Sequence, residues 1–167
     1  EDFINNINSY ISDIYYEITH KGTLKVVYKS EFAGKNKDHI LKMFEKNISR
    51  EIFLGKTIFG IQHDDLEFRI DKEIVKEFSS VGEQKNSIIS FKLAEIKNIE
   101  DKIHKKPILI LDDLFSELDK EKINNIINLI DEDLQTFITT TEINYVDKKL
   151  LEKAKIFHVN EGIVEEE

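Results

Sequence analysis

Pro107-Ile108-Leu109-Ile110-Leu111-Asp112-Asp113 decides the reading of this chain. An apolar run ends abruptly in two carboxylates, and a buried strand that releases paired acids at its carboxyl end places them where phosphates and a metal ion can meet them. Because neighbours on a strand point to opposite faces, the two acids are expected to divide the work. Asp112 is the candidate ligand of a magnesium ion (Mg2+), through water, and Asp113 the candidate to face an attacking water. Magnesium favours hard oxygen ligands and keeps much of its hydration shell, so one or two carboxylates plus substrate phosphates suffice. The same residues also fit a solvated strand end whose acids cap the next helix, and spacing alone leaves both readings open.

Upstream, Ser79-Ser80-Val81-Gly82-Glu83-Gln84-Lys85 is a small polar turn that feeds a long amphipathic helix. The first turn of a helix offers free N–H donors and the positive end of the backbone dipole, which suits a phosphate. Ser80 adds a hydroxyl donor, and Gly82 lets backbone approach an anion closely. The alternative is an ordinary helix cap: Ser80 and Glu83 stand at capping-box spacing, with Glu83 bonding back to the cap. Ser116-Glu117-Leu118-Asp119 resembles a second capping box before a helix that begins near Lys120, with Asp119 as an alternative cap. Thr139-Thr140-Thr141 follows the next strand and offers hydroxyls to the same phosphates, although threonines at a strand end are commonplace.

Other clusters invite less. Gln62-His63-Asp64-Asp65 looks like a metal cluster but lacks further ligands at defined spacing, and His20, His39, His104 and His158 are scattered, so a structural or surface role is expected. Lys102, Lys105 and Lys106 crowd the end of the long helix, where cations favour the dipole without any nucleic acid.

The bulk numbers set bounds. With 167 residues, 40% of them hydrophobic, and a single proline, the chain fits one full-sized folded domain with a small appendage. No run approaches the roughly 18 consecutive apolar residues of a membrane span, so no membrane partner is expected. Cysteine is absent, which excludes disulfides and thiolate metal sites and makes the reducing cytoplasm the simplest location. Lys and Arg number 24 against 33 Asp and Glu, a net charge of −9 that argues against a dominant nucleic-acid footprint on this piece, so that any DNA contact is local or lies elsewhere. The chain begins at Glu1 without methionine, so a fragment is expected.

Along the chain, Ile4, Ile7, Ile11, Ile14 and Ile18 predict one helix over residues 3 to 18 with a narrow seam, either an arm or a helix packed on its own domain. Leu24 to Lys29 reads as a strand, Ile40 to Ile52 as an amphipathic helix ending before Gly55, and Leu66 to Val75 as a hairpin or a strand continuing toward the Ser79 turn. From Gly82 the order is a long helix, a buried strand (Ile108 to Leu111), a helix (Ile123 to Ile130) and a strand (Thr136 to Thr139). A helix from about Val146 to Lys153 and a strand Lys155 to Val159 complete an alternation that predicts parallel α/β layering. Residues 1–55 are expected to form an α+β arm segment and 56–167 the α/β lobe.

Taken together, these segments resemble the C-terminal half of the RecF family, bacterial recombination-repair ATPases of the ABC/SMC type. Phe78 to Lys85 resembles the signature loop, with Lys92-Leu93-Ala94-Glu95 continuing it. Ile108 to Asp113 resembles the Walker B strand, Ser116-Glu117-Leu118-Asp119 the D-loop, and Gln135 to Thr141 the switch segment. The resemblance departs in three places. Gly60-Ile61-Gln62-His63-Asp64-Asp65 stands where such chains usually read Gly-Pro-His-Arg-Asp-Asp, Glu83 replaces a usual glutamine, and no GxxxxGK[ST] phosphate loop occurs in the sequence.

The resemblance implies the C-terminal lobe of an ABC-type, P-loop NTPase-like ATPase, with ATP and Mg2+ as cofactors and slow attack of water on the γ-phosphate. It assigns Ser80, Gly82, Gln84, Asp119 and Thr141 to nucleotide binding, Asp112 to the metal and Asp113 to catalysis. It implies that the signature loop of one subunit caps ATP held by the other, so that ATP joins a homodimer and hydrolysis releases it. Without the phosphate loop, ATP binding by these residues alone is expected to be poor. Implied partners are gapped DNA, RecO and RecR, in support of RecA loading. The competing readings are another SMC-like ABC ATPase, which would carry a much longer coiled-coil arm, and a non-catalytic dimerisation or partner-binding module.

Overall fold

The isoleucine seam at the start of the chain is buried, but on two helices instead of one. In the computed structural model, which describes residues 2–113, 118–141 and 143–166, α1 (Asp2–Asn8) stops short of α2 (Ile11–Thr19). The break has a cause at Asn8: its Nδ2 donates to the Val26 carbonyl at 2.8 Å and its Oδ1 accepts from the Val26 N–H at 2.9 Å. Ser9 Oγ adds a bond to the Asn6 carbonyl at 2.6 Å, a local contact that competes with the helical ladder. Hydrophobic spacing is blind to such side-chain bonds, because Ile4, Ile7, Ile11, Ile14 and Ile18 reach the core on either path.

Val26 lies in β1 (Leu24–Lys29), which pairs antiparallel with β2 (Asp65–Ile70), and β2 pairs antiparallel with β3 (Glu73–Ile74). The Asn8 amide therefore acts as a one-residue strand on the free edge of β1. Between β1 and β2 runs α3 (Lys37–Leu54), capped by Asn36, whose side chain accepts from His39 N, and closed by Gly55 at φ 63°. No residue of α3 is buried, and its apolar stripe of Leu41, Phe44, Ile48 and Ile52 is exposed.

The short α4 (Val75–Phe78) leads into α5 (Val81–Ile103), against which α2 packs. Ile11, Ile14, Tyr15 and Ile18 share the core with Ile89, Leu93 and Ala94 of α5. Ser87 and Ser90, fully buried on α5, satisfy their hydroxyls on the carbonyls of Glu83 and Asn86, both at 2.8 Å, and so cost the core no unpaired donor. Phe91 bridges the two regions: its ring meets Phe3 and Phe68 edge-on, at 6.4 and 5.4 Å between centroids.

After α5 come β4 (Leu109–Leu111), α6 (Lys120–Leu129) and β5 (Thr136–Ile138), and β4 and β5 pair in parallel with Leu111 opposite Ile138. Ile123 and Ile126 of α6 complete the core. The apolar run before the twin acids is buried on one face only: Leu109 and Leu111 are inside, whereas Ile108, Ile110 and Phe137 face outward. The expected helix near Val146 to Lys153 shrinks to α7 (Lys148–Leu151), preceded by a short 3-10 turn at Ile143–Tyr145. The last expected strand is β6 (Phe157–Asn160), and it folds back antiparallel on β7 (Ile163–Glu166) instead of joining the parallel pair.

Two predictions follow from this packing. Asn8→Ala should lower the unfolding free energy by about 2 kcal/mol, because two backbone groups of Val26 lose their partner, and a chemical-denaturation curve reads that loss directly. Tyr15, 1% exposed, has its phenol pushed up to about 12 by burial first and by the nearby Glu83 and Asp71 charges next. A raised phenol favours the neutral, folded form, so its contribution is complete below pH 10 and is lost as pH climbs towards 12. Tyr15→Phe should therefore flatten the alkaline fall in stability across that window, measured by denaturation at stepped pH.

Candidate functional site

The parallel register sets the centre of the site. With Leu111 opposite Ile138, and Thr139 N donating to the Leu111 carbonyl at 3.0 Å, the next residue on each chain, Asp112 and Thr139, emerges at the same level. The Thr139 hydroxyl donates to Asp112 Oδ1 and accepts from the Asp113 N–H at 3.0 Å. One threonine thus organises both acids. Thr139, and not Thr141, is the residue of the threonine run that touches them; Thr141 lies exposed two residues further on. The register itself carries this signal, since a strand-pairing hypothesis puts Thr139 level with Asp112.

Asp112 and Asp113 are both exposed, and β4 has already ended at Leu111, so the alternation of a strand does not govern their directions. Asp113 instead adopts φ 48°, the left-handed region, which turns the chain sharply after the strand. Its carbonyl accepts from Lys85 Nζ at 2.6 Å. That bond crosses from the strand end to the first turns of α5 and brings the serine turn to the same end of the molecule. Ser80 stands five residues before Lys85, about 7.5 Å along a helix axis.

At the turn itself the capping box is complete. Ser80 Oγ accepts from the Glu83 N–H at 3.3 Å, while Glu83 Oε2 accepts from the Ser80 N–H at 3.0 Å and from Ser80 Oγ at 2.9 Å. The Ser80 backbone and hydroxyl donors, helped by Lys21 Nζ at 3.3 Å, hold the Glu83 carboxyl below the usual range. Gln84 donates from Nε2 to the Ser79 carbonyl at 3.1 Å. Gly82 is the second residue of α5 and half-buried.

Asp119 is the N-cap of α6: its Oδ1 accepts from the Lys122 N–H at 2.9 Å and its Oδ2 pairs with Lys122 Nζ. The Lys122 ammonium and then its backbone N–H keep the Asp119 carboxyl below its ordinary value. Ser116 and Glu117, the first half of the expected D-loop, lie outside the described residues. In the His63 segment, His63 Nε2 bonds with the Thr57 carbonyl at 3.2 Å, and Asp64 accepts from the Tyr28 hydroxyl, so both side chains anchor the approach to β2.

Chemically, the centre presents the Asp112 carboxylate and the Thr139 hydroxyl, both hard oxygen donors, with Asp113 tied to them through its backbone N–H. Among the described residues Asp112 Oδ2 has no hydrogen-bond partner, and no group of three or more acidic, His or Cys side chains gathers to make a closed metal cage. Such a donor set fits a magnesium ion that takes its remaining ligands from phosphate and water. Sequence reasoning singled out both acids and the serine turn, but missed Thr139 as their organiser and Lys85 as their link.

No protein-family model matches the chain. The DNA replication and repair protein RecF of Ligilactobacillus salivarius is 33% identical over 174 residues, covering 99% of this chain and 46% of that protein. The chain thus spans less than half the length of this curated relative. Among solved structures, the recombination mediator protein RecF-ATP in the RecFOR pathway superposes with a TM-score of 0.74 at 22% identity, over 99% of this chain and 44% of that one. A structure from work on ATP-driven dimerization and DNA-stimulated activation of SMC ATPases gives 0.56 at 15% identity, over 98% and 83%. The fold is that of an α/β ABC-type ATPase lobe, and the chain belongs to the RecF family.

Proposed function

We propose that this chain is the C-terminal half of a RecF-like DNA-repair ATPase that uses ATP to hold two subunits together on DNA. The observation that carries the reading is the chain of bonds from Asp112 through Thr139 and Asp113 to Lys85. It ties the strand-end acids, the switch segment and the serine turn into one surface. In this reading the phosphate loop, which does not occur in the sequence, would come from polypeptide beyond it. The outward-facing Ile108, Ile110 and Phe137 support this, because a parallel pair is ordinarily covered on both faces.

In this reading Asp112 would hold Mg2+ with Thr139 steadying it, and the ion would neutralise charge on the phosphates. Asp113 orients the attacking water towards the γ-phosphate. Ser80, Gly82 and Gln84 meet the triphosphate held by the partner subunit, while Asp119 and Thr141 border the same nucleotide. Gapped DNA, with RecO and RecR, is the setting, and the cytoplasm the compartment. With a charge of −9, the reading assigns the DNA contact to a restricted patch or to the other half of the protein. The second reading, a non-catalytic dimerisation module, draws on Ser80 and Asp119, whose side chains cap helices.

Two variants, made in a polypeptide that carries a phosphate loop together with this chain, separate these readings. Asp113→Asn should lower ATP hydrolysis by on the order of 10²-fold while ATP-dependent association persists, as read by phosphate release and light scattering. Parental turnover in that variant rejects the role given to Asp113. Ser80→Arg should abolish ATP-driven association, and Ser80→Asp, which preserves a helix cap but sets a negative charge against the triphosphate, should do the same. If Ser80→Asp associates normally, Ser80 is a cap and nothing more.

A further inference from the structure

We propose that Lys85 is a positioning residue that couples the serine turn to Asp113, so that seating the turn on one nucleotide sets the geometry of hydrolysis at the other. This rests on the reading of the site given above and adds its regulation.

Asp113 is held through its backbone on both sides. Its N–H donates to Thr139 Oγ1 at 3.0 Å, and its carbonyl accepts from the Lys85 ammonium at 2.6 Å. An ammonium donor makes a stronger bond than a neutral amide, roughly twofold. Left-handed backbone at a non-glycine residue, here φ 48°, is uphill by about 1–2 kcal/mol and persists where surrounding bonds over-determine it. The Lys85 bond is one of those constraints, and it comes from a different element than the Thr139 bond.

That element is α5, which Ser80 caps, whose first turn contains Gly82 and whose buried face is locked into the core. The turn and Lys85 share one continuous helical ladder, so a shift of the turn as it closes over a triphosphate is carried to the lysine and from there to the Asp113 carbonyl. With the turn serving the partner's nucleotide and Asp113 serving its own, each subunit spans both nucleotides of the dimer. Lys85 is the contact through which they communicate. Hydrolysis should then depend cooperatively on ATP, because an acid whose own turn is unseated is held out of its working geometry.

The test uses the same phosphate-loop-bearing polypeptide. Lys85→Met keeps the length of the stem and removes the donor, and Lys85→Arg retains a charged donor. Lys85→Met should lower kcat by on the order of 10²-fold and bring the Hill coefficient for ATP to about 1, with the ATP concentration needed for association unchanged. Lys85→Arg should recover part of both. Hydrogen exchange at the Asp113 amide should quicken in Lys85→Met, a readout that needs no turnover. Parental kcat and cooperativity in Lys85→Met overturn the proposal, as does a loss of association in step with hydrolysis, which would make the lysine a part of the cap. Parental hydrolysis in Asp113→Asn instead rejects the underlying site, whatever Lys85 does.

Discussion

The burial of one face of α5 is the constraint from which the rest of the molecule follows. At 23 residues the helix is about 35 Å long, and its interior side, with Ile89, Leu93, Ala94 and the small serines, is where α1 and α2 settle. Its amino end projects beyond that core and carries the serine turn, while Lys85 reaches across to the end of β4. Packing and chemistry therefore meet on a single element. The first helices, remote in sequence from the acids, thus pack on the same helix that the serine turn opens.

Local chemistry at the turn works in two directions. The reciprocal Ser80–Glu83 bonds secure the start of α5, and a Ser cap of this kind is worth about 1 kcal/mol. The same bonds occupy the hydroxyl that a phosphate would need. In the proposed reading a phosphate oxygen would compete with the Glu83 carboxylate for the Ser80 hydroxyl, one charge-assisted bond against another. Glu83 is the opposing influence, an ionised carboxylate beside the anion, and Lys21 at 3.3 Å offsets part of its charge. The turn is thus closed on itself by its own capping bonds.

Much of this was legible in the sequence. The spacing of Leu24 to Lys29, of Ile40 to Ile52 before Gly55, and of the residues after Gly82 gives β1, α3 and α5 nearly as they stand, because each depends on periodicity and on a nearby stop signal. The capping spacings at Ser80 and Asp119 are likewise local and appear as read. What escaped was long-range. The break between α1 and α2 is made by Asn8 bonding to Val26, 18 residues away, and the contacts of Thr139 and Lys85 with the acids depend on a strand register and a helix-to-strand approach that no window of sequence contains. The hairpin of β6 and β7 escaped for the same reason: period-two alternation predicts a strand but not its neighbour.

The left-handed bend at position 113 also bears on how such a site changes over evolutionary time. Aspartate and asparagine tolerate positive φ several-fold better than most side chains, because their short polar groups can bond to nearby backbone. A longer acid at this point would gain reach towards a water molecule but meet a conformational penalty that Thr139 and Lys85 now help to absorb. Mutational drift at this corner is therefore biased: the backbone favours aspartate or asparagine before reactivity is selected at all, and a glutamate, which the chain does carry at the same φ at Glu161, would hold the bend at a higher conformational cost.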